Sequence, residues 1–357
     1  MAARAGDRRA TGPARRVNGR RLTIVMIGLA VVTSALAGYG LGRRSTGLAD
    51  LAGDPGGLPP ASPAPATTSG RAANTALPES VLLVAAGDIA CNPANEKFKD
   101  LEGDQTGCRQ KATSDLVGAL HPDAVLPLGD NQYQRGTLYG FQVSYGPTWG
   151  RFLDITHPVI GNHEYLTAGG AGYFKYFGAL AGDPAKGYYS FDLGSWHIVV
   201  LNSQCQYVPG GCGFGSEQER WLRADLAAHP SRCTLAAWHE PRWSSGDHHS
   251  NKAYDAFWTD LSAAGAELVL SGHDHDYERF ARLDANGHRN SSRGVRQFVV
   301  GTGGVGLRKF EGFAPGSEVR QNTAFGVLAL TLTPAGYTWR FVSVGSSFSD
   351  SGRESCH

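Results

Sequence analysis

The chain has 357 residues, 41% of them hydrophobic, enough for one large folded domain or two ordinary ones with a substantial core. Its formal charge of +1 is unevenly spread: nine of the 33 basic residues and one of the 32 acidic ones lie at or before Arg44, leaving 24 bases against 31 acids, a net of −7. A body of that sign excludes an electropositive nucleic-acid surface, so any anionic ligand must be drawn by a local charge such as a bound cation.

Residues 1–44 join an arginine-rich start to an apolar run, Leu22 to Leu41, free of charged side chains. That length serves either a membrane span or a signal-peptide core, and Ala35-Leu36-Ala37 has the small-x-small form of a cleavage site. An extracytoplasmic protein is expected, secreted or anchored by residues 22–41, with membrane contact through this segment alone. Residues 45–79 are rich in Gly, Pro, Ala, Ser and Thr, too poor in apolar groups to offset their ordering entropy, and read as a flexible linker. Residues 80–357 are left as the folded domain.

In that domain strands are predicted at Val81 to Ala86, Ala124 to Leu128, Trp196 to Leu201, Thr234 to Trp238, Glu267 to Ser271, Gln297 to Val300, Val327 to Leu332 and Tyr337 to Val344. Helical periodicity lies between several of them, at Arg109 to Leu120, Ser216 to Ala228 and Ala253 to Ala264, the second announced by the capping box Ser216-x-x-Glu219. Alternating strands and helices predict an α/β fold that collects ligands at the carboxyl ends of strands, and the adjacent last two strands predict an antiparallel part. Six cysteines in an exported body favour disulfides. Fifteen connectivities are open, although Cys91 with Cys108 and Cys205 with Cys212 would each close a short loop.

Chemistry concentrates where strands end. In chain order these exits read Gly87-Asp88, Gly129-Asp130-Asn131-Gln132-Tyr133, Gly161-Asn162-His163-Glu164, Ala236-Ala237-Trp238-His239 and Gly272-His273-Asp274-His275. Oxygen ligands, imidazoles and one amide form the mixed donor set that suits two metal ions side by side. Asp274, Asp276 and Glu278 are expected to accept hydrogen bonds from the imidazoles.

This set resembles the calcineurin-like metallophosphoesterases, and within them the purple acid phosphatases, in motif order and ligand type from about Val81 to Val344. The resemblance implies a two-sheet mixed β sandwich flanked by helices, with a dinuclear metal site. It implies one ion held by Asp88, Asp130, Tyr133 and His275 and a second by Asp130, Asn162, His239 and His273, with Asp130 bridging. Ala90 stands where many relatives have a ligating histidine, and the Tyr133 phenolate is a hard donor, which implies Fe(III) in that site and Zn, Mn or Fe(II) in the other. His248 and His249, nine and ten residues beyond His239, fit a pair that binds substrate and protonates the leaving group in plant-type relatives; His163 would be a further phosphate-binding or acid group. The implied activity is hydrolysis of small phosphate monoesters by attack of a metal-bound hydroxide. A phosphodiesterase or nucleotide-directed esterase on the same metals is the alternative, and a non-catalytic metal-binding module a third reading. Plant relatives carry an N-terminal β-sandwich domain, whereas here only the linker precedes Val81, and oligomeric state is open.

Overall fold

The apolar run Val81–Ala86 forms strand β1 in the interior of a five-stranded sheet, between the parallel β2 (Ala124–Pro127) and an antiparallel neighbour from near the end of the chain. The computed structural model describes residues 80–230 and 233–357, so the expected export segment and linker lie outside the described residues. Among those described, no helix is long and apolar enough to cross a membrane.

The remaining strands are β3 (Tyr189–Leu193), β4 (Trp196–Val200), β5 (Cys233–Ala237), β6 (Leu268–Ser271), β7 (Tyr277–Leu283), β8 (Val295–Val300), β9 (Ser317–Gln321), β10 (Gly326–Thr333), β11 (Gly336–Ser343) and β12 (Ser351–Ser355). The first sheet runs β12-β11-β10-β1-β2, with β10 and β11 a hairpin as their adjacency predicted. The second runs β3-β4-β5-β6-β8-β7-β9, with β4, β5, β6 and β8 parallel and the other pairings antiparallel. This is the expected two-sheet mixed α/β fold.

Parallel strands covered on both faces read as continuous apolar runs because each face meets its own core. Ile198, Val200, Leu235, Ala237, Leu268 and Leu270 pack against the first sheet. Val199, Ala236 and Val269 turn outward against Leu222 of helix Glu217–Ala228 and Phe257, Trp258 and Leu261 of helix Asp255–Ala264. The Ser216 hydroxyl accepts from the Glu219 amide as the capping box requires, but the Glu219 carboxylate reaches back to the Gly215 amide rather than to Ser216. Three disulfides close the fold: Cys91–Cys108, Cys205–Cys212 and Cys233–Cys356, the last tying β5 to the end of the chain across 123 residues.

Both sheets deliver their parallel strands to one edge. The Gly87 amide, just past β1, donates to the Val300 carbonyl at the end of β8 at 2.8 Å, and the Gly272 amide past β6 donates to the His239 carbonyl past β5 at 3.0 Å. Residues that follow those strands are thereby collected in one place.

Candidate metal centre

All seven side chains expected as ligands converge at that edge. The Tyr133 hydroxyl lies 2.8 Å from Asp88 Oδ1, 2.9 Å from Asp130 Oδ2 and 3.1 Å from His275 Nε2. His239 Nε2 lies 3.1 Å from Asn162 Oδ1, 3.2 Å from His273 Nδ1 and 3.3 Å from Asp130 Oδ1. The two carboxylate oxygens of Asp130 thus face two different groups of donors, the geometry a bridging ligand needs.

The backbone is bent to achieve this. Asp88, Asp130 and His273 have φ of 60°, 46° and 72°, the left-handed region that L residues occupy at a cost of order 1–3 kcal/mol each. Such strain persists only where the surroundings over-determine it, and here they do: the His273 amide donates to Asp88 Oδ2 at 2.8 Å and the His163 amide to Asp130 Oδ1 at 2.9 Å. Close approach also demands glycine. A Cβ on Gly161 would sit 2.3 Å from Asp130 Oδ1, and one on Gly301 would sit 2.8 Å from Asp88 Oδ2.

The calcineurin-like phosphoesterase family matches residues 81–277, more than half of the chain. The chain belongs to that family. Among curated relatives of this phosphoesterase, Purple acid phosphatase 15 of Arabidopsis thaliana is 29% identical over 237 residues, 56% of this chain and 43% of that protein. Human Acid phosphatase type 7 is 26% identical over 217 residues, 53% of this chain and 47% of that protein. The chain thus spans less than half the length of these relatives. A purple acid phosphatase from yellow lupin seeds has the same fold, with a TM-score of 0.61 at 20% identity over 77% of this chain and 54% of that one. The family match and these relatives support a purple acid phosphatase-like metallophosphoesterase, a kind that uses a dinuclear metal site.

The donor set of the phosphoesterase fits such a pair of ions. Asp88, Asp130 and Tyr133 are buried. Burial opposes ionisation of Asp88, but His275 beside it holds its carboxyl below the usual range; for Asp130 the same opposition is overcome by His239. Burial and the charges of Asp130 and Asp88 push the Tyr133 phenol well above its ordinary value, so a phenolate here requires an added cation. Burial disfavours a charged His239, yet the Asp130 charge carries it up to about 10, while burial and His239 drive His273 down to about 3. Without metal, a proton on His239 stands where positive charge is needed.

Two imidazoles of the expected donor set are oriented by backbone carbonyls, not by the expected carboxylates. His239 Nδ1 faces the Leu128 carbonyl and His275 Nδ1 the Gly306 carbonyl, each at 2.8 Å. Glu278 is occupied by the Ser245 amide and hydroxyl. Asp274 instead serves His248, accepting from its amide and its Nδ1 at 2.9 Å each.

The three histidines expected to handle substrate differ in placement. His163 packs against Tyr133 with ring centroids 4.2 Å apart and planes tilted by 45°, and puts Nε2 3.7 Å from Asp130 Oδ2. His248 lies over His273 at 4.0 Å, and its Nε2 faces Arg308 Nη1 at 3.2 Å. His249 stands apart: its side chain is 62% exposed and its nearest charged partner is Glu311 at 3.9 Å. The sequence reading passed over Arg308. It borders an open cavity of about 380 Å³ shared with Tyr133, His275 and Lys97, and its amide donates to the His275 carbonyl at 3.0 Å. The glycine run Gly301-Thr302-Gly303-Gly304-Val305-Gly306 after β8 was the available signal, because chain that must pass so close to Asp88 belongs to the centre.

Proposed function

We propose that this chain is an exported acid phosphatase that hydrolyses small phosphate monoesters on a dinuclear centre. The observation that carries this reading is the division of the Asp130 carboxylate, one oxygen toward Tyr133 and the other toward His239. Asp88, Asp130, Tyr133 and His275 would hold one ion, Fe(III) by virtue of the phenol, and Asp130, Asn162, His239 and His273 a divalent Zn, Mn or Fe(II). When bound, the pair supplies positive charge for the phosphate oxygens and acidifies water. Three disulfides and the apolar run at residues 22–41 support placement outside the cytoplasm.

The remaining work falls to side chains around the ions. His163, whose Nδ1 donates to the Gln134 carbonyl at 2.7 Å, would donate a hydrogen bond to a phosphate oxygen from a protonated Nε2. His248 is the proton donor to the leaving group: Asp274 accepts from Nδ1, and Nε2 faces Arg308, which borders the open cavity and would yield its place to the leaving group. The hydrogen bond to Asp274 raises the His248 pKa against the opposing effect of burial, so the ring is charged at mildly acidic pH. An acidic optimum follows. His249, exposed and adjacent, would bind substrate only after reorientation.

The test compares p-nitrophenyl phosphate with bis(p-nitrophenyl) phosphate on purified protein, before and after chelation and metal restoration. Faster, metal-dependent turnover of the monoester is expected. Preference for the diester would replace the monoesterase assignment with a phosphodiesterase, and two bound ions without turnover of either would leave a non-catalytic module.

A further inference from the structure

Far from the strand exits, the opening half of β4 carries a second group of metal-type donors. His197 points to the outer face of the sheet, the side of Val199, where helix Glu217–Ala228 packs. Asp225 and His229, four residues apart at the end of that helix, share one helical face toward it. His197 Nε2 lies 2.8 Å from Asp225 Oδ2, and His229 Nδ1 lies 3.4 Å from Asp225 Oδ1. One ligand atom from each of the three lies within 4.8 Å of the others.

We propose that His197, Asp225 and His229 bind a divalent cation of the zinc type, at a site separate from the dinuclear centre. Two imidazoles and a carboxylate are a borderline donor set suited to zinc, which accepts three protein ligands with water as the fourth.

The surroundings are those of a built site. Asp192 Oδ1 lies 2.9 Å from His197 Nδ1 and is placed to accept its proton, the tautomer that leaves the Nε2 lone pair for a ligand. The Ser190 hydroxyl donates to Asp225 Oδ1 at 2.7 Å and orients the carboxylate. In that tautomer a neutral His197 sets the Nε2 lone pair against an Asp225 oxygen 2.8 Å away, a contact that a proton or a metal ion reconciles. Burial opposes the proton, although the bonds to Asp225 and Asp192 raise the ring's pKa above its usual value. A metal ion satisfies the same oxygen without leaving a charged, 1% exposed imidazolium stacked 4.5 Å from the His229 ring. His229, 45% exposed, gives access from solvent; on binding its Nδ1 exchanges the Asp225 carbonyl, 2.9 Å away, for the ion. The ion would join β3, β4 and the helix at one edge of the second sheet.

The experiment counts zinc by mass spectrometry in full-length protein dialysed against micromolar zinc, for wild type, His229→Ala and Asp225→Asn. Wild type is expected to retain one zinc per chain more than either variant, while all three keep the same phosphatase activity and the same ions at the dinuclear centre. Zinc should also raise the thermal midpoint of the wild type more than that of His229→Ala, whose half-exposed position makes misfolding an unsuitable explanation. Equal zinc counts in wild type and His229→Ala would overturn the proposal. This outcome is independent of whether any phosphate ester is cleaved.

Discussion

Replacing Asp274 by Asn removes the largest of the interactions that set the acidity of the proposed proton donor. Asp274 is fully buried and meets His248 Nδ1 at 2.9 Å, while the His248 side chain keeps 35% exposure. At that distance two unit charges attract by about 5.7 kcal/mol at an effective dielectric of 20 and by about 1.4 kcal/mol at that of water. A ring more than a third exposed lies near the wetter limit after solvent screening, so removing the charge costs the imidazolium about 1.4–2 kcal/mol, roughly one pKa unit. The sign is fixed by the direction of the shift. A raised pKa keeps the donor protonated below it, and activity that needs the proton is lost as pH rises through it. Asp274→Asn should therefore move the alkaline limb of the pH–rate profile down by about one pH unit for an alkyl phosphate, whose leaving group needs a proton. For p-nitrophenyl phosphate the limb should move far less. Superimposable alkaline limbs for the alkyl ester would refute the role of His248, and equal rate losses for both esters at every pH would refute proton donation in favour of binding.

Arg308→Ala should move the same limb the other way, since Arg308 lowers the His248 pKa; the pH profile of the alkyl ester checks it. Tyr133→Phe removes the donor shared by Asp88 and Asp130, at a cost of about 1–3 kcal/mol in the metal-free protein, and should abolish any visible tyrosinate-to-iron absorption; urea unfolding and an absorption spectrum read the two effects. Trp258→Ala, emptying a fully buried position between helix and sheet, should cost about 3–5 kcal/mol in urea unfolding with its residual activity retained. Replacing Cys233 and Cys356 together by Ser frees a loop spanning 123 residues and should cost about 5 kcal/mol by the chain-entropy relation, measured the same way.

The strands that carry the site were the easiest to read because both of their faces are covered. Val81–Ala86 is an unbroken apolar run and Leu268–Ser271 is apolar up to its last residue, and each is followed by a glycine and then an expected ligand. Strands at sheet margins gave no such pattern. No strand is predicted over β7, whose Glu278, Arg279 and Arg282 break the apolar pattern; it is nonetheless mostly buried, because Arg279 pairs with Asp350 and Arg282 with Glu267, which neutralise charge inside the fold. Strand β12, Ser-Gly-Arg-Glu-Ser, has no apolar residue and forms only because β11 offers it an edge and Cys356 is bonded to Cys233. At the centre, motif spacing named the donors but not their supports. A carbonyl such as Leu128 O or Gly306 O has no residue identity, so nothing in the letters announces that it will orient an imidazole. The contrast between His248 and His249 had the same origin: neighbours in sequence point apart, one over His273 and the other to solvent.

Because the two oxygens of one carboxylate, Asp130, face both groups of donors, neither ion of the proposed pair would load as if the other were absent. Whatever factor the first ion imposes on the affinity of the second, thermodynamic reciprocity imposes the same factor in return. A mixed pair is thereby selected jointly. In the proposed centre, a preference of the phenol half for a trivalent ion would be transmitted through two oxygens of a single residue to the choice of its divalent companion.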